Sequence, residues 1–77
     1  MHETFGWLDV DPIAQALNEA HPGLDPVAVR FTDLARLVRA LPGFVEDPAH
    51  PVNERILETI QALWIEERED DPREDDD

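Results

Sequence analysis

Seventy-seven residues make one domain at most, and so short a chain buries only about 60% of the surface it exposes when unfolded, so its core is thin. Nineteen acidic residues against six arginines, with no lysine, give a net charge of −13. Such a polyanion repels nucleic acid and anionic membranes and attracts cations or basic proteins, and the absence of cysteine excludes disulfides, thiolate metal sites and cysteine nucleophiles.

The charge is unevenly spread. The last twelve residues, "EEREDDPREDDD", carry a net −7, and the first 65 carry −6, so the body is acidic without its tail. No apolar run approaches the roughly 20 residues that span a membrane. The opening "MHETFGWLDV" lacks the basic and apolar regions of a signal peptide, and a cytoplasmic protein is expected.

In chain order, Phe5 and Trp7 flank Gly6 in a short extended segment that tucks aromatics onto the core. A first helix follows, with Asp9 or Asp11 as cap, Pro12 in its first turn, and Ile13, Ala16, Leu17 and Ala20 at helical spacing. "HPG" at 21–23 stops it. "LDP" at 24–26 begins a turn over 25–28, with Asp25 as cap and Pro26 in first place. An extended piece over 29–31 and a helix from 32 to about 41, capped by Thr32, come next. "PGFVEDPAHP", 42–51, is a loop with three prolines, anchored by Phe44. The third helix is the clearest, from about 51 to about 67. Val52, Ile56, Leu57, Ile60, Leu63 and Trp64 form its apolar face, with Asn53, Glu54, Glu58 and Gln61 opposite. Residues 68–77 hold no apolar side chain and are expected to form a disordered acidic tail after a domain spanning 1–67. The fold class is mainly α, a small three-helix bundle of helix-turn-helix type with minimal β structure. Arg36 and Arg39 are the only basic residues of its second helix, and the third is acidic, which is unlike a DNA-reading bundle.

Few residues can carry covalent chemistry. Serine, lysine, tyrosine and cysteine are all missing, the only hydroxyls are Thr4, Thr32 and Thr59, and there is no glycine-rich phosphate loop. No catalytic residues are expected. Carboxylates are the remaining chemistry. Glu46 and Asp47 adjoin in the loop, and Glu54 and Glu58 stand one turn apart on the third helix, where they repel each other unless a cation intervenes. These four are the candidate metal ligands for a weak, exchangeable hard cation, with a solvated acidic face as the plainer reading. Arg30 reads as an ion-pair partner of Asp25 or Asp33, and Trp7, Phe31, Phe44 and Trp64 read as core.

Taken together, "W-x-D" at 7–9, "LDP" at 24–26, "VRFTDL" at 29–34, Phe44, the acidic pair before Pro48, "NE" at 53–54, "ILE" at 56–58, Ile60 and Trp64 resemble the IscX family, also called YfhJ. The likeness covers residues 7–66. It implies a winged-helix-like fold and a place in bacterial iron–sulfur cluster assembly. It also implies binding of the cysteine desulfurase IscS through an acidic surface, weak binding of Fe²⁺ by carboxylates, and an adaptor or regulator role for a monomer. The acids that match the family are Asp9, Asp25, Asp33, Asp47, Glu54 and Glu58, which are the expected partner-binding residues. The tail extends beyond the family's usual end. The rival reading, from composition, is a nucleic-acid mimic that occupies the basic face of a DNA-binding protein.

Overall fold

The computed structural model describes residues 4–69. Three helices are present: α1 (Val10–Ala20), α2 (Phe31–Arg39) and α3 (Glu54–Glu69), with a short 3₁₀ turn at Pro26–Ala28. Among the described residues there is no strand, and β structure is confined to one parallel bridge between Phe5 and Phe44. The molecule is therefore mainly α with three helices, and no wing hairpin is present among the described residues to support the winged-helix expectation.

Trp7, Ile13, Leu17, Leu34, Val38, Ile60 and Trp64 are fully buried and draw on all three helices and the N-terminal segment. Burying a large apolar side chain stabilises by about 1.5–3 kcal/mol, so these few carry much of the fold. α3 packs chiefly against α1. The buried stripe of α1 is Ile13, Ala14, Leu17 and Asn18, rotated slightly from the expected one, with Ala20 exposed. Asn18 can be buried because its side-chain oxygen accepts a 2.8 Å hydrogen bond from Arg68.

Helix starts differ from the expected ones for identifiable reasons. Asp9 stands at the N-cap of α1, yet its carboxylate accepts from the Gly6 N–H at 2.9 Å and makes no cap bond to the helix. Asp25 does cap the 3₁₀ turn, accepting from the Val27 N–H at 3.1 Å, with buried Pro26 in first place. Thr32 is not a cap. The extended residue before α2 is Arg30, whose carbonyl already accepts from Leu34 N–H at 2.7 Å, so the helix starts at Phe31 and Thr32 falls inside its first turn. Phe31 is half-buried against the core. α3 starts at Glu54 rather than 51, because Asn53 is its cap: the Asn53 side-chain oxygen accepts from Ile56 N–H at 2.9 Å.

Past α2 the chain turns at Gly43, whose φ of 89° suits a residue without Cβ. This brings the next residues alongside the N-terminal segment, where Phe5 N–H donates to Gly43 (3.0 Å) and Val45 N–H donates to Phe5 (2.9 Å). α3 also extends further than expected. Arg68 and Glu69 are helical, two residues past the expected helix end near 67. The remainder of the expected tail, residues 70–77, lies outside the described residues.

Candidate functional site

The loop after α2 and the N-terminal segment meet in an aromatic cluster. Phe44 sits edge-on to Trp7 at 4.9 Å and to Phe5 at 6.0 Å between ring centroids. The Arg39 guanidinium lies 5.5 Å from the Trp7 ring centroid, a cation–π geometry. Glu46 closes the group. One carboxylate oxygen accepts from Arg39 Nε at 3.1 Å, and the other accepts from Arg39 Nη2 and from Trp7 Nε1, each at 3.2 Å. Arg39, then Trp7, thereby hold the Glu46 carboxyl below its ordinary value of 4.5.

This engagement alters the expectation for Glu46. Three donor contacts already occupy its two oxygens, so a cation here would compete with Arg39 and Trp7 for the carboxylate. The acids gathered here are Asp9, Glu46 and Asp47, which line one cleft of about 560 Å³ together with His50. Asp47 also accepts from the Ala49 N–H at 2.9 Å. Asp25 and Asp33 face a second, separate groove between the 3₁₀ turn and α2. Glu54 and Glu58 are exposed one turn apart on α3. The six partner-binding candidates are thus all exposed, but they occupy three places rather than one.

The metal candidates divide in the same way, Glu46 and Asp47 in the loop and Glu54 and Glu58 on α3. Among the described residues no three Asp, Glu, His or Cys side chains come together to hold one ion. The carboxylates present do not fit a closed iron centre; what they offer is pairs. Arg30 makes no ion pair among the described residues. Asp33 instead approaches Arg36, one turn along α2, at 3.9 Å, with both side chains largely exposed.

Several contributors were hidden from sequence reasoning. Arg39 pairs with Glu46 across the loop, and His50 lies in the same cleft as Asp9 and Asp47. Gln61, expected on the outer face of α3, is half-buried and donates to the Pro26 and Val29 carbonyls at 2.8 and 3.0 Å, which fixes the 3₁₀ turn. Arg68 donates to Asn18 at 2.8 Å and to the carbonyls of Leu24 and His21 at 2.6 and 3.0 Å, closing the C-terminal end of α1. No local spacing marks these bonds, because their partners lie far off in the chain. No helix among the described residues is long and apolar enough to cross a membrane.

The family model described as iron-sulphur cluster assembly matches residues 5–69. The chain is also similar to an uncharacterized protein of Pseudomonas aeruginosa, at 51% identity over 63 residues, covering 82% of this chain and 94% of that protein. The span matched by the family model takes in the aromatic cluster, the six candidate acids, and Gln61 and Arg68. The chain belongs to the iron–sulfur cluster assembly family known as IscX or YfhJ, and its role lies in that process.

Proposed function

We propose that this protein is a monomeric, cytoplasmic, non-catalytic adaptor of cluster assembly. It binds the cysteine desulfurase IscS through exposed carboxylates and holds Fe²⁺ weakly and exchangeably. The observation that carries this reading is how the charges are distributed. Asp9, Asp25, Asp33, Asp47, Glu54 and Glu58 are all exposed and outnumber the exposed Arg30, Arg36 and Arg55, while Arg39 and Arg68 are engaged within the chain. An acidic surface of this kind draws a basic partner from a distance. Carboxylates in separate pairs suit a hard cation held loosely, with water completing its shell. The absence of serine, cysteine, lysine and tyrosine supports a binding role over nucleophilic catalysis.

The test is recovery of partners from a bacterial lysate by the full chain, followed by calorimetry with the purified desulfurase. Enrichment and direct binding of the desulfurase are expected. Recovery of DNA-binding proteins with no desulfurase would overturn the adaptor reading in favour of a nucleic-acid mimic.

A further inference from the structure

The groove between the 3₁₀ turn and α2 has a volume of about 380 Å³ and shares no lining residue with the Trp7–Glu46 cleft. Its wall is apolar, formed by Leu24, Ala28, Val29 and Leu37, and its rim carries two acids, Asp25 and Asp33, and one arginine, Arg36, for a net negative charge. Leu24 in its wall is 38% exposed, and Val27, beside the groove in the 3₁₀ turn, is 67% exposed. Clustered exposure of that kind marks an interaction site more often than a stray surface residue does.

The groove is also preformed. Gln61 holds the Pro26 and Val29 carbonyls, Asp25 caps the turn, and Arg68 holds the Leu24 carbonyl. A surface already fixed loses little freedom when a ligand arrives. The charge around it selects the ligand. Asp25 uses one carboxylate oxygen on the Val27 N–H, and the other accepts no hydrogen bond among the described residues. Asp33 is held only by Arg36 at 3.9 Å, in an exposed pair that a competing cation can replace.

We propose that this groove docks a basic segment of a partner protein by accepting one apolar side chain between Lys or Arg residues. The leucine, isoleucine or methionine fills the wall of Leu24, Ala28, Val29 and Leu37, while its basic neighbours meet Asp25 and Asp33. A second copy of this chain is a poor occupant, because it brings a net charge of −13 and no lysine. The inference rests on the adaptor reading only for the sign of the partner's charge, and adds to it an apolar anchor that charge alone does not supply.

The experiment uses the full chain, ¹⁵N-labelled, and two capped heptapeptides of equal positive charge. One has leucine between two arginine pairs, and the other has glycine in its place. The leucine peptide is expected to bind about ten-fold tighter and to shift the amides of Leu24, Ala28 and Leu37. Ala28→Gln, at an exposed position, fills the groove and should abolish that advantage with an unchanged circular dichroism spectrum; Leu24→Gln serves if Ala28→Gln does not fold. Equal affinity for both peptides, shifts centred on the Trp7 cleft or on α3, or an advantage retained in both variants would overturn the proposal. Desulfurase binding that Ala28→Gln leaves at native strength overturns the groove and spares the adaptor reading. No desulfurase binding by the native chain overturns the adaptor reading, and the peptide pair still decides the groove.

Discussion

Arg68 and Arg39 each tie a helix to a neighbouring segment, and they do so with opposite chemistry. Arg68 bonds only neutral oxygens, the Asn18 side chain and the carbonyls of His21 and Leu24, and is half-buried where α3 meets the end of α1. Arg39 bonds a carboxylate, lies over Trp7, and keeps 47% of its side chain exposed. A cation held by carbonyls joins two helices without neutralising an acid, and its bonds respond little to salt. A cation held by Glu46 removes one negative charge from the surface and depends on pH. In so acidic a chain, the first kind of contact can serve stability while the acids stay available for a partner.

The largest effect is expected at Arg68. A chain ending at Glu67 loses all three of its bonds and leaves buried Asn18 unsatisfied. We expect a loss of about 2–3 kcal/mol by urea unfolding. For a domain of this size that lowers Tm by roughly 10 °C or more. A chain ending at Glu69 keeps every contact described above and should melt close to the native chain. Equal melting of the two truncations would show that Arg68 is as dispensable as any exposed arginine. Arg68→Lys should recover only part of the loss, since one ammonium cannot reproduce the planar fork of donors.

Gln61→Ala comes next. It removes the donor shared by the Pro26 and Val29 carbonyls, and a loss of about 1 kcal/mol is expected, with faster amide exchange confined to the 3₁₀ turn. Global loss of protection with no local component would contradict the role given to Gln61.

Glu46 supplies the pH-dependent side of the contrast. Its carboxyl is held below 4.5 in the folded state, so its contribution is fully present above that pH and is lost as pH falls through the lowered folded value. Glu46→Gln should give up that modest contribution at pH 7 and converge on the native chain in acid, so that its stability falls less over the acid range. A variant that follows the native profile point for point would mean that Arg39 and Glu46 do not interact in solution.

The smallest structural effect belongs to α3. Glu54→Gln with Glu58→Gln relieves repulsion across one turn and should stabilise by about 0.2–0.5 kcal/mol. The same pair of changes should weaken Fe²⁺ binding, read by calorimetry. Tight binding unaltered by both changes would rule out these carboxylates as ligands.

The sequence reveals what is local and hides what is distant. The apolar face of α3 is legible because Leu57, Ile60 and Trp64 repeat with the helix, and the turn at Pro26 is legible because Asp-Pro has a specific backbone preference. The start of α3 is misplaced because Val52 continues the apolar period, although Asn53 is the residue that caps the helix. Thr32 has the side chain of a cap, but the extended Arg30 before it opens the helix first. Gln61 and Arg68 look like surface residues in a one-dimensional pattern. Their acceptors lie 32 to 50 residues away, and only the folded chain brings the two together. The candidate acids were legible as residues, but their separation into two clefts and one helix face was not.

The central claim is that exposed carboxylates carry partner recognition. Its most direct test is the Kd of the native chain for the desulfurase, measured by calorimetry from low salt to several hundred millimolar. Exposed charges are screened within about 10 Å at 0.1 M ionic strength, so affinity should fall steeply and continuously over that range. The chain ending at Glu69 should show the same trend with a slower association rate at low salt. Binding that is indifferent to salt would contradict the account.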